Sequence, residues 1–157
     1  MSKNTEERLV LIKDKIEKIF TICEGGIVKA LEDDTQKRPA ILMHLSACDE
    51  QLQKIQDSGD MKALSVFTPE NIRGLRSVRN FIAHDYEGVN LSIIEDVIRD
   101  YLPDLKVNID KFLSANISKE RDDSAEAVLS RMGVAYTKIT KNEAVKTQTY
   151  KSKSKER

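Results

Sequence analysis

The stretch TPENIRGLRSVRNFIAHDYEG, residues 68–88, decides how the chain is read. Thr68 stands where an N-cap hydroxyl is wanted, Pro69 where a missing N–H costs nothing, and Glu70 where the helix dipole favours a carboxylate. Ile72, Leu75, Val78 and Ile82 then recur at steps of three and four, which puts one apolar stripe against a core. The spacing predicts a helix that opens at Pro69 and ends at Gly88.

The same period extends on both sides. Asn4 and Glu7 have the spacing of a capping box, and Leu9, Ile12, Ile16, Ile19 and Cys23 form the seam of a long first helix. Gly25 and Gly26 either kink that helix or let it run on through Ile27 and Leu31. A second helix carries Ile41, Leu45, Cys48, Leu52 and Ile55, entered through Asp34 and Thr35 and stopped by Asp57-Ser58-Gly59-Asp60. Downstream, Asn90 caps a fourth helix with Ile93, Ile94, Val97 and Tyr101 inward. Pro103 then kinks it or opens a fifth with Leu105, Ile109 and Phe112. The expected fold is all-α, an antiparallel bundle of four to five helices over residues 1–113. Beyond Ser114 the pattern weakens. Ser124 to Met132 reads as a short helix before Gly133, and the basic TYKSKSKER ending as a solvated tail, so 114–157 is expected to be a partly helical or disordered extension.

Composition narrows the function. The chain has 157 residues, 39% of them hydrophobic, 33% charged and 5% aromatic with no Trp, as expected of a soluble helical protein. Its 26 basic residues equal its 26 acidic ones, so the field of the whole molecule does not steer a polyanion and any contact with nucleic acid needs a local patch. Cys23 and Cys48 sit in apolar helical patterns without metal or redox spacing and read as buried thiols in a reducing compartment. No charged-then-apolar leader and no apolar run near the ~20 residues a bilayer needs is present, which leaves a cytoplasmic protein as the expectation. Neither a phosphate-cradling glycine motif nor a metal-spaced cluster is seen, so no cofactor and no metal are expected.

Within RNFIAHDY, residues 79–86, lie groups that could do chemistry. The His84 imidazole titrates near pH 6.5 and suits a general acid or base, and the always-charged Arg79 guanidinium suits a transferring phosphoryl group. Arg73 and Arg76, at steps of three before Arg79, add a local cationic stripe, a phosphate-sized patch and the candidate contact for a nucleic-acid backbone. On a regular helix Arg79 and Tyr86 are within roughly 20° of each other, whereas Arg79 and His84 are roughly 140° apart. Either the helix loosens near His84, or two copies meet across a two-fold axis so that both motifs line one cleft. On spacing alone, an Arg and a His five apart are more often a surface charge and a packed ring. His44, inside AILMHLSAC, reads as a satisfied histidine near the core.

RNFIAHDY has the R-x4-H-x-Y pattern of HEPN domains, and FTPENIRGLRSVRNFIAHDYEGVNLSIIEDVIRDYLPDL, with DTQKRPAILMHLSACDEQLQKI before it, resembles the HepT-like branch of that superfamily over residues 5–113. The resemblance implies a dimeric helical bundle and a metal-independent endoribonuclease toxin with Arg79 and His84 as the catalytic pair. It also implies a MntA-like minimal nucleotidyltransferase antitoxin that inactivates the toxin by attaching AMP to Tyr86. Where that branch often has Gly-Glu in the second helix, this chain has Cys48-Asp49, and Asp49 is given no role. The alternative the resemblance leaves is a non-catalytic binding or scaffold partner of such a nucleotidyltransferase.

Overall fold

Seven α-helices and one π turn arise from these patterns in the computed structural model, which describes residues 3–131: α1 Lys3–Ile22, α2 Ile27–Glu32, α3 Lys37–Ser58, α4 Met61–Leu64, α5 Pro69–His84, α6 Leu91–Asp96, the π turn Val97–Tyr101, and α7 Leu102–Arg131. No strand occurs among the described residues. The chain divides into two units, Met1–Leu113 and Ser114–Arg157. In the second, residues 114–131 are helical, so the short helix expected from Ser124 is the end of a longer one. Met132, Gly133 and the basic tail lie outside the described residues.

The first unit is an all-α bundle in which α1 packs on α3 and α3 on α5, with α2, α6 and the π turn closing the ends. The α1 seam residues Leu9, Ile12, Ile16 and Ile19 are fully buried against Ile41, Leu45, Cys48, Leu52 and Ile55 of α3. Each large aliphatic removed from water contributes about 2 kcal/mol before conformational entropy is set against it. Leu75 and Val78 bring α5 onto this core, and Ile94, Val97, Ile98, Leu102, Leu105 and Ile109 complete it. The expected seams therefore hold except at their ends. Cys23 is only half-buried, and Tyr101 stays 39% exposed.

Several local signals resolve differently from their reading in sequence. Asn4 lies inside α1 and not at its cap. The helix does not run through the glycine pair: α1 stops at Ile22, and Gly26 takes φ +119°, a conformation that disfavours side chains with a Cβ. At the α3 entrance neither Asp34 nor Thr35 is the cap: Gln36 takes that position without a side-chain bond, and Asp33 Oδ1 closes the turn before it by accepting from the backbone N–H groups of Thr35 and Gln36. Gly59 closes α3 in the left-handed conformation at φ +70°, as its sequence position implies.

At Pro103 the helical run is not interrupted: α6, the π turn and α7 follow one another without a gap, and Pro103 lies in the first turn of α7. A proline has no N–H to donate, and its ring crowds the carbonyl four residues back. The preceding turn widens into the π turn, with the Leu102 N–H donating to the Val97 carbonyl, and the helix continues as α7. No helix among the described residues is long and apolar enough to cross a membrane.

Candidate active site

α5 is anchored at its start by a reciprocal cap. Thr68 Oγ1 accepts from the Asn71 N–H at 3.1 Å, while Asn71 Oδ1 accepts from the Thr68 N–H at 3.0 Å. The buried Asn71 thus does what Glu or Gln more often does in this motif. Its C-terminal end comes earlier than expected. The last helical residue is His84, and Asp85 leaves the helix at φ −153°, ψ 75°. The Asp85 carboxylate then accepts from the Gly88 N–H at 3.0 Å, closing a tight turn over residues 85–88. A Cβ at Gly88 would push that carboxylate aside.

Tyr86 therefore sits in the turn and not on the helix, so the projection that stacks it above Arg79 does not apply. Its ring is 43% exposed. His84 is exposed at the helix terminus, and no hydrogen bond among the described residues engages its imidazole.

Arg79 faces the other way, toward α3. There Asp49 is fully buried, and neither of its oxygens accepts a hydrogen bond among the described residues. The nearest cations are Arg76, whose Nε lies 3.7 Å from Asp49 Oδ1, and Arg79, whose Nε lies 3.9 Å from Asp49 Oδ2. Arg76 is further held by donating from Nη2 to Gln56 Oε1 at 3.0 Å. Two half-exposed guanidinium groups thus share one buried carboxylate that orients them without engaging their full donor sets. Arg73 is separate from this pair: it lies at the opposite edge of α5 and pairs with Glu70 at 3.3 Å. The arginines expected as one stripe are thus divided between two faces.

A family model described as ribonuclease HepT-like matches residues 12–112. The chain belongs to that family. No match is found among curated proteins or among solved structures. The matched span runs from Ile12 in α1 to Phe112 in α7 and contains Asp49, Arg76, Arg79, His84 and Tyr86.

Asp49 faces two of the candidate residues, and sequence reasoning gave it no role. A signal existed: an acidic residue beside Cys48, on the apolar seam of α3, is a charge where burial is costly unless it is paired. The two thiols take no part. Cys48 is buried, its Sγ directed to the Ile12 carbonyl at 3.9 Å, and burial pushes its pKa up to about 12, which leaves it an inert thiol. Among the described residues, no group of three His, Cys, Asp or Glu is arranged to hold a metal.

Proposed function

We propose that this HepT-like chain is an endoribonuclease that cuts RNA by acid–base chemistry without a metal. The supporting observation is the end of α5, where an exposed imidazole with no hydrogen bond among the described residues stands five residues beyond an arginine that faces a buried carboxylate. In the reaction His84 takes the proton of a ribose 2′-hydroxyl as its oxygen bonds to phosphorus, and a proton returns to the departing 5′-oxygen as the P–O5′ bond breaks. The products are a 2′,3′-cyclic phosphate and a 5′-hydroxyl. Arg79 stabilises the negative charge that builds on the phosphoryl oxygens in between.

Within one copy of α5 the two side chains leave the helix roughly 140° apart. A homodimer in which the C-terminal ends of two α5 helices meet would let Arg79 and His84 of both copies line one cleft. In this reading the chain is the toxin of a pair. A MntA-like minimal nucleotidyltransferase inactivates it by attaching AMP to Tyr86, whose exposed phenol stands two residues beyond His84.

The test is cleavage of single-stranded RNA by the purified protein in the presence of EDTA, with products analysed for cyclic phosphate ends and the protein mass measured in solution. Cleavage by the wild type, lost in His84→Ala, supports the nuclease. Absence of cleavage together with stable binding to a nucleotidyltransferase would favour the scaffold reading, with which the neutral net charge is compatible.

A further inference from the structure

Glu70, Gly74, Ser77, Phe81 and His84 follow one another along α5 at steps of four, three, four and three, so they share one helix face. That face, opposite the one carrying Arg76 and Arg79, borders a groove of about 480 Å³ whose far wall is made by α6 and the π turn. Its volume falls within the usual range for small-ligand sites. Phe81 stands on one side and Tyr101 on the other, and both are exposed, at 41% and 39%. Six aromatic residues lie among the described residues, and only three are exposed: Phe81, Tyr86 and Tyr101. Two of them therefore border this groove, and the third follows the helix that forms it.

The second ring packs beside Gly74. A Cβ there would be in ordinary contact with Tyr101 Cδ2 at 3.5 Å and Val97 Cγ2 at 3.9 Å, so the ring lies beside α5. The polar part of the lining is asymmetric. Arg73 is occupied by Glu70 of its own helix, whereas Asp96 has no ion pair among the described residues and lines the groove together with the Ser77 hydroxyl.

We propose that this groove is a nucleobase subsite for single-stranded RNA and that Asp96 makes it select bases bearing an exocyclic amino group. The inference rests on the ribonuclease reading above and extends it to substrate choice. Exposed rings beside a groove suit a flat base, since any base can stack on an aromatic face. A carboxylate accepts from the N4 amino group of cytosine. Uracil would turn a carbonyl oxygen toward the same carboxylate and be repelled. His84 lies about 4.5 Å further along the helix axis than Phe81. A base held in the groove thus places its own ribose 2′-hydroxyl and 3′-phosphate toward the imidazole, and cleavage follows the selected base.

A second copy of the chain fits the groove less well. An apolar seam would have to bury Asp96, and Arg73, the cation lining the groove, is already paired with Glu70.

The experiment titrates fluorescently labelled tetracytidylate and tetrauridylate into full-length His84→Ala protein, which does not consume them, and into the same protein carrying Phe81→Ala, Tyr101→Ala or Asp96→Asn. Solution mass is measured for each variant, and circular dichroism checks that it folds. Tetracytidylate should bind at least fivefold more tightly than tetrauridylate. Loss of either ring should weaken both oligonucleotides by about fivefold or more, and Asp96→Asn should bring the two affinities together. Parallel cleavage assays on the wild type separate the two ideas. RNA that is bound and cut, but with no base preference and no effect of the ring variants, overturns the subsite and leaves the nuclease standing. No RNA binding and no cleavage by any form overturns the nuclease and the subsite with it. A shift from dimer to monomer in Phe81→Ala with RNA affinity unchanged assigns the groove to a second copy and also overturns the proposal.

Discussion

Asp49 Oδ2 and Arg79 Nε stand 3.9 Å apart across the α3–α5 contact, one residue fully buried and the other half in water. The asymmetry matters energetically. A buried carboxylate without hydrogen bonds is tolerable only while cations face it, whereas an arginine released from it can be solvated. Replacing both Arg76 and Arg79 by Ala should therefore destabilise the fold by about 3 kcal/mol. Asp49→Asn in that background should recover most of the loss, because it removes the stranded charge. Urea denaturation of the four proteins in this cycle measures the coupling, and additive effects would mean that Asp49 does not depend on the two cations.

The same pairing bears on the proposed catalysis. Asp49 approaches Arg79 through Nε, which leaves the terminal nitrogens of the guanidinium available for two phosphoryl oxygens. Lysine at position 79 keeps the charge and loses the fork. Arg79→Lys should lower RNA cleavage by about a hundredfold while leaving the unfolding midpoint close to that of the wild type. Rates within a few-fold of the wild type would remove the bidentate contact from the mechanism.

The helical seams were legible from the sequence because burial enforces a period of three and four. Leu9 through Ile19 and Ile41 through Ile55 lie where the spacing puts them. The ends of elements were harder to read, since competing groups decide them locally. Asp33 closes the turn before α3 while the cap position falls to Gln36, and beyond His84 the Asp85 side chain finds the Gly88 N–H. The motif residues were visible as residue types, but their directions were not. A wheel drawn through Tyr86 assumes a helix that has already ended, and an arginine period of three hides that Arg73 turns from the side that Arg76 and Arg79 share. Asp49 was beyond a linear reading for a similar reason: its partners are some thirty residues away and meet it only when α3 packs on α5.

His44 supplies a pH test that is independent of the active site. Burial, together with Lys15 and Lys18, holds its imidazole below the ordinary value against the opposing pull of Asp14. With the folded pKa below the unfolded one, the unfolded chain binds the proton first as pH falls. Stability is therefore full above about pH 6.5 and declines as the pH drops below it. The surface carboxylates Asp14, Glu50 and Asp110 are lowered by lysine partners and contribute their own loss only nearer pH 4. His44→Gln should flatten the fall in unfolding free energy between pH 7.5 and 5.5. A variant that tracks the wild type across that interval would show that the slope comes from elsewhere.

Tyr86 lends itself to the last test, because the turn that carries it is built separately from the helix that carries His84. Its phenol is exposed, so a partner enzyme can reach it without unfolding the domain. An attached AMP brings a phosphate and a bulky group to within two residues of His84, where the phosphate would repel an incoming RNA backbone. Co-expression with a MntA-like nucleotidyltransferase should therefore add AMP-sized mass to the wild type, leave Tyr86→Phe unlabelled and abolish cleavage only in the labelled protein. The turn offers a finer control. Gly88→Ala drives a Cβ into the Asp85 carboxylate and breaks the hydrogen bond that closes residues 85–88. The fold should lose no more than about 1 kcal/mol, since only an exposed turn is disturbed, but labelling of Tyr86 should slow because the phenol is no longer held in one place. Intact-mass time courses on the three proteins decide the matter: equal labelling of Tyr86→Phe would move the modification to another residue, and unchanged labelling of Gly88→Ala would show that the turn does not present the tyrosine.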